Sequence, residues 1–196
     1  MDFEDYLSQL ASAAPTPGGG SAATLVGALS AALVAMVARV TGERRPESAA
    51  LAAEADELRG RFLAIRPIDE AAYRSVVEAQ TLPRATDAEK ATRTACLQAA
   101  LAGAAEAPLA VAALAAEAMA LAERAAALRN THLMSDVECA VRFARATLEA
   151  SAANVQVNHR FLKNPAVVDA QTTRLSAILH ATRASEERTL AIVTSP

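Results

Sequence analysis

The amino-acid sequence predicts an all-α fold, a single-domain helical bundle. Three observations carry this. The chain of 196 residues is 53% hydrophobic but only 3% aromatic, with no Trp, so its apolar weight is Ala, Leu and Val. Ala is the strongest helix former. Apolar residues recur three and four apart along most of the chain, the period of an amphipathic helix. No segment of useful length alternates with the period of a strand. The length suits one good core. Without an internal repeat, low-complexity linker or domain boundary, residues 1–196 read as one domain of about seven or eight helices.

Phe3, Leu7 and Leu10 share a face and predict a short amphipathic helix from Asp2 to Ala13. The stretch from Pro15 to Val40 organises the rest. Pro15 and Pro17 fix φ. Gly18, Gly19 and Gly20 permit backbone conformations that other residues resist. Ser21 is placed to cap the next helix. That helix carries no charge up to Ala38, which marks a buried element. Ala23, Gly27, Ala31 and Ala35 form a smooth stripe that lets another backbone approach. A core of such small side chains leads us to expect a partner subunit. The helix stops near Gly42, and Glu43-Arg44-Arg45 reads as a solvated turn.

Pro46 fits the first turn of a third helix. Its stripe is Leu51, Ala55, Leu58, Phe62 and Ile65, and its expected end is Pro67. Asp69 then caps or opens a fourth helix, with Ala72, Tyr73, Val76 and Val77 inward, broken at Leu82-Pro83-Arg84. Thr86 and Glu89 have capping-box spacing ahead of a long helix from Asp87 to Arg129, kinked or restarted at Pro108. Asn130 to Met134 is a connector. Ser135 and Glu138 repeat the capping-box spacing and open a helix carrying Val141, Phe143, Leu148, Val155 and Phe161. Asn164-Pro165 ends it and opens the last helix, with Val167, Val168, Leu175, Ile178 and Leu179.

Three places break the apolar pattern. The glycine loop offers free amides at a helix N-terminus, which attract anions and carbonyl oxygens. A branched side chain at Gly19 is expected to block approach to that backbone. Ser135-Asp136 is the second place. The third is Asn154 and Asn158, one turn apart on the same face, where Asn is a poor interior helix residue. Each also has a plain structural reading: an entry turn, a cap, a helix–helix hydrogen bond. For Asp69 that reading is capping.

Several classes are excluded. A formal charge of −3 gives no basic patch for nucleic acid, and scarce aromatics give no stacking platform. No Lys follows the glycines, as a phosphate-binding Walker loop requires, and no strand precedes them, as a dinucleotide fingerprint requires. Ser21 has no identifiable His-Asp partners for hydrolase chemistry. His132, His159 and His180 lack metal spacing, so no metal is expected. Cys96 and Cys139 read as reduced, buried small hydrophobes. The acidic opening Asp2 to Asp5 is unlike a signal peptide. The helix from Ala22 is interrupted by Thr24, Gly27 and Ser30 and reads as a core helix, not a membrane span. Together these point to the cytoplasm.

Pro15-Thr16-Pro17-Gly18-Gly19-Gly20-Ser21-Ala22-Ala23, with Gly27-Ala28-Leu29 and residues 32–38, resembles the opening of the cyclodeaminase/cyclohydrolase family. The resemblance continues through Asp69, Ala72-Tyr73, Leu82-Pro83-Arg84, Pro108-Leu109, Asn130, Ser135-Asp136-Val137, Asn154-Val155 and Asn158, covering nearly the whole chain. It departs at Arg129, where the family usually has Gly, and at Glu138-Cys139 and Ser151-Ala152.

The resemblance implies an all-helical homodimer that binds a reduced folate, with tetrahydrofolate entering as substrate and no further cofactor. It implies either conversion of 5-formiminotetrahydrofolate to 5,10-methenyltetrahydrofolate and ammonia, or hydrolysis of the methenyl form to 10-formyltetrahydrofolate. In that setting Asp136 and Asp69 are the expected catalytic residues. Asp136 at a helix N-terminus suits stabilisation of the methenyl cation, and Asp69 suits proton transfer. Gly18, Gly19, Gly20, Ser21, Ser135, Asn154 and Asn158 are expected to bind substrate. Arg84, and less directly Arg39, are expected to meet the glutamate tail. The alternative is a non-catalytic folate-binding or structural helical dimer.

Overall fold

The computed structural model describes residues 2–42 and 46–195, so the turn expected at Glu43-Arg44-Arg45 lies outside the described residues. Among the described residues six α-helices and one 3-10 turn follow in order: α1 (Phe3–Leu10), α2 (Gly19–Gly42), α3 (Pro46–Thr81), α4 (Asp87–Ala127), the 3-10 turn (Thr131–Leu133), α5 (Met134–His159) and α6 (Pro165–Val193). The all-α fold is as expected, and the number of helices is smaller. Two expected helices are one, because α3 runs straight through Pro67. A helix-interior proline withholds an N–H from the carbonyl four residues back. Here that residue is Leu63, which is 47% exposed, so water can take the place of the missing donor.

Helix α2 is the centre of the molecule. It packs between α3 and α5 and also touches α4, while α6 lies on α4 and α5. The stripe Ala23, Gly27, Ala31 and Ala35 is buried within this chain. The close approach expected of it is made by α3, not by a second subunit. Phe62 is fully buried, and a Cβ at Gly27 would stand 2.4 Å from its ring. Polar residues of α2 and α5 tie the same layer together. Ser30 donates to the carbonyl of Ala140 at 2.7 Å, and Thr147 to that of Ala23 at 3.2 Å. By length and composition α2 and α4 could each cross a bilayer; in this fold both are core helices.

The main core joins α2, α3, α4 and α5 through Val34, Val37, Leu51, Leu58, Phe62, Met119, Val137 and Val141. A second cluster ties α4, α5 and α6 through Leu109, Leu148, Val155 and Leu175. Each large buried side chain contributes about 1.5–3 kcal/mol by leaving water.

Several local expectations change. On α1 the buried side chain is Tyr6, whereas Phe3 and Leu7 are exposed. Tyr73 and Val77 of α3 and Phe161 after α5 are exposed as well. Cys96 and Cys139 are free, as read, but exposed. The capping box at Thr86 and Glu89 is present. The one expected at Ser135 is not: α5 starts at Met134 after Leu133, with no side-chain cap. Asn130 caps the preceding 3-10 turn instead. Arg129 adopts φ 52°, a left-handed conformation that favours glycine. The family's usual Gly at this place therefore has a backbone reason.

Candidate functional site

The loop before α2 carries Pro15 and a cis Thr16–Pro17 bond, then enters the helix at Gly19. The first helical bond to the loop is Ala22 N–H to the carbonyl of Gly18, so the Gly19 and Gly20 amides on the pocket side have no helical acceptor. These glycines line one side of a pocket of about 220 Å³. Helix α3 supplies Asp69, Glu70 and Tyr73, α4 supplies Ala104 and Pro108, and α5 supplies Asn154 and Asn158. Four separate segments of chain thus meet, and they bring together Gly18, Gly19, Gly20, Asp69, Asn154 and Asn158 from the residues singled out in the sequence.

Asp69 is inside α3 and caps nothing. Its carboxyl lies against Gly20, where a Cβ would come within 2.2 Å of Oδ2. A side chain at Gly20 would displace the Asp69 carboxyl. At Gly18 and Gly19 a Cβ would meet nothing within 4 Å, so a side chain at Gly19 would project into open space beside the loop, whereas one at Gly20 would meet Asp69. Burial, and then the neighbouring charge of Glu70, raise the Asp69 carboxyl above the usual carboxylate range. Among the described residues no donor is hydrogen-bonded to Asp69, so nothing local offsets that burial.

Glu70 is held differently. It accepts a hydrogen bond from Ser21 Oγ at 3.1 Å, and Ser21 Oγ in turn accepts one from Tyr6 Oη at 3.2 Å. The Arg66 guanidinium lies 5.5 Å from the centroid of the Tyr6 ring and 4.0 Å from Glu70. Ser21 is therefore not an N-cap and does not line the pocket. It is fully buried behind it.

Of the two asparagines, Asn158 has a structural reason as well. Pro108 cannot donate to the carbonyl of Ala104, four residues earlier in α4. Asn158 Nδ2 supplies that bond at 3.3 Å and gives its other proton to the carbonyl of Asn154 at 3.0 Å. With both protons used, Asn158 can offer a ligand only its Oδ1.

The other expected site residues lie apart from this pocket within the chain. Asp136 and Asn154 are 18 residues apart along α5, about 27 Å at 1.5 Å per residue. Ser135 is exposed and, like Asp136, lies at the far end of α5 from the pocket. Arg84 is exposed in the α3–α4 connection and does not line the pocket. Arg39 pairs with Asp56. Sequence reading missed Glu70 and Tyr6. Glu70 follows Asp69 directly, and α1 gave the only clue to Tyr6: a Tyr one residue off the apolar stripe.

A glycine-lined pocket at the meeting of four segments, with two carboxyls of unlike surroundings in it, defines a helical protein with a small-molecule-sized site. The chain belongs to the formiminotransferase-cyclodeaminase family, whose model matches residues 2–177. A methenyltetrahydrofolate cyclohydrolase from Methylorubrum extorquens is 37% identical, over 95% of this chain and 92% of that protein. The formimidoyltransferase-cyclodeaminase of Rattus norvegicus is 24% identical over 89% of this chain but 33% of its own length. In fold, the chain is similar to the crystal structure of formiminotetrahydrofolate cyclodeaminase from Thermotoga maritima, with a TM-score of 0.87 at 23% identity, over 98% of this chain and 96% of that one.

Proposed function

We propose that the protein is a folate one-carbon enzyme that hydrolyses 5,10-methenyltetrahydrofolate to 10-formyltetrahydrofolate. The observation that carries this is the Asp69 pocket: a buried carboxyl without a hydrogen-bond donor, set against the glycine loop at the start of α2. The similarity to a cyclohydrolase along nearly its whole length supports it. In the reaction, water adds to the methenyl carbon and gives up a proton. The bond from that carbon to N5 then breaks, the hydroxyl proton passes to N5, and the formyl group stays on N10. Asp69 is the group to move these protons. Glu70 beside it places a second carboxyl group near the positive charge of the methenyl form. The volume matches a bicyclic ring system, while the rest of the folate extends outside.

A second reading is favoured by Asp69 itself. A carboxyl whose pKa is raised by burial suits proton donation during ammonia release from 5-formiminotetrahydrofolate. There N10 attacks the formimino carbon, the N10 proton and one from the acid pass to the formimino nitrogen, and the carbon–nitrogen bond breaks to release ammonia and the methenyl product. Incubation with both folates in parallel, following methenyl absorbance and ammonia, decides between them. Turnover of neither folate removes both readings and favours a folate-binding or structural dimer.

The same proposal includes a homodimer in the cytoplasm. An apolar groove of about 690 Å³ runs between α3, α4 and α6, with Ile65, Ile68, Leu109, Leu114 and Ile178 along it and Arg61 and Arg174 at its sides. It adjoins the pocket, because Ile68 precedes Asp69 and Leu109 follows Pro108. A second copy seated there would cover Ile68, which is 59% exposed. A scattering mass of one chain at micromolar concentration would remove the dimer.

A further inference from the structure

Two adjacent carboxyls face one pocket from α3, and their surroundings differ. Asp69 has burial and no donor. Glu70 has a chain of hydroxyls behind it, Tyr6 to Ser21 to Glu70, with links of 3.2 and 3.1 Å. Tyr6 is 3% exposed and Ser21 is fully buried, so water does not compete for these bonds. Where two carboxyls share a site, ionisation of one disfavours ionisation of the other, so a support on one side separates their roles. The other groups facing the pair are Arg66 and Tyr73 from α3 and the first amides of α2. The lining residues of α4 and α5, namely Ala104, Pro108, Asn154 and Asn158, carry no titrating group.

We propose that Tyr6 and Ser21 are positioning residues that hold Glu70 as the fixed anion of the pocket and leave Asp69 to carry the proton. Neither touches the pocket; both act through Glu70. The inference assigns roles within the folate site proposed above and rests on that reading for its kinetics, but not for its titration. Division of labour explains why helix α1, exposed on most of its surface, buries one tyrosine. It also explains why a serine sits in the first turn of α2 without capping it.

The test uses Tyr6→Phe, Ser21→Ala and Glu70→Gln in the full chain. Carboxyl carbon resonances of Asp69 and Glu70 are followed against pH in the folate-free protein. In Tyr6→Phe and Ser21→Ala the Glu70 midpoint is expected to rise and the Asp69 midpoint to fall, and in Glu70→Gln the Asp69 midpoint falls. With the active folate, kcat is expected to drop roughly tenfold in Ser21→Ala, the scale of a hydrogen bond to a charged group, with a smaller drop in Tyr6→Phe. KM should stay within about twofold, and the acid limb of the pH profile should move with the Asp69 midpoint. Tyr6→Phe keeps the ring packed and decides the matter if Ser21→Ala fails to fold. Unchanged midpoints in folded Tyr6→Phe overturn the proposal, whatever its melting temperature. If the parent turns over neither folate while the midpoints move as expected, the folate reading fails and the relay stands.

Discussion

The side-chain amide of Asn158 donates at 3.3 Å to the carbonyl of Ala104, the group that Pro108 leaves without its helical donor. This links a proline in α4 to an asparagine in α5 across the wall of the pocket. Asn158→Ala should therefore cost about 1–3 kcal/mol, the penalty of an orphaned buried acceptor. Pro108→Ala restores an N–H to the same carbonyl. In that background the loss from Asn158→Ala should shrink by about 1 kcal/mol or more, a coupling that a double-mutant cycle in urea reads directly. Additive losses would show that the two residues act independently.

Two glycines face opposite consequences from the same substitution. In Gly20→Ala the new methyl meets the end of the Asp69 side chain, which can swing away. Stability should change little, while turnover should fall tenfold or more, because the acid is displaced. In Gly27→Ala the methyl meets the fully buried ring of Phe62, which has nowhere to go. Overpacking should cost about 1–3 kcal/mol. Melting curves and initial rates of the two variants, side by side, distinguish a site glycine from a core glycine.

The raised carboxyl of Asp69 fixes a sign for pH. A carboxyl whose value in the fold exceeds its unfolded value contributes most below the unfolded pKa of about 3.9, and the contribution is lost as pH rises through the folded value. Asp69→Asn removes this dependence. Relative to the parent, the variant should be more stable at pH 7 than at pH 3, and its turnover should fall by roughly 10²–10⁴. A stability difference that does not vary between these pH values would place Asp69 in an ordinary solvated state.

Asp136 lies in the first turn of α5 and makes no cap. Asp136→Asn should then lose only the interaction of charge with the helix dipole, about 0.3–1 kcal/mol, with turnover within twofold of the parent. A hundredfold loss of turnover in a folded protein would return Asp136 to the chemistry expected of it from the sequence.

Arg129 holds a left-handed backbone at φ 52°. That conformation costs a non-glycine residue about 1–2 kcal/mol, against which glycine loses about 0.4–1 kcal/mol through the freedom of its unfolded chain. Arg129→Gly should raise stability by roughly 0.5–1 kcal/mol on those two scales. Chemical denaturation checks this, and activity should not change, since the residue does not line the pocket.

Much of the fold was readable because most helices announce themselves by period and cap. The stripe from Leu51 to Phe62, the box at Thr86 and Glu89 and the proline entry at Pro165 all stand where the pattern puts them. Pro67 misled because a proline's cost depends on whether the orphaned carbonyl can reach water, which is a matter of exposure and not of local sequence. Of the site, the glycines, Asp69 and the asparagine pair were legible as polar interruptions of apolar runs. Glu70 and Tyr6 were not, because their importance arises from a contact between three helices. Asp136 looked right locally, but the length of α5 carries it away from the pocket.

Helix α1 is joined to the body of the protein by one buried side chain, Tyr6, and that side chain begins the relay to Glu70. An element tethered so lightly opens by local unfolding at a free energy well below that of the whole domain. The fraction of molecules with α1 docked then sets the fraction in which Tyr6 backs Ser21 and Glu70. Amide exchange in residues 3–10 becomes a measure of catalytic competence, and anything that engages the exposed faces of Phe3 and Leu7, a fused tag included, shifts that equilibrium without touching the pocket.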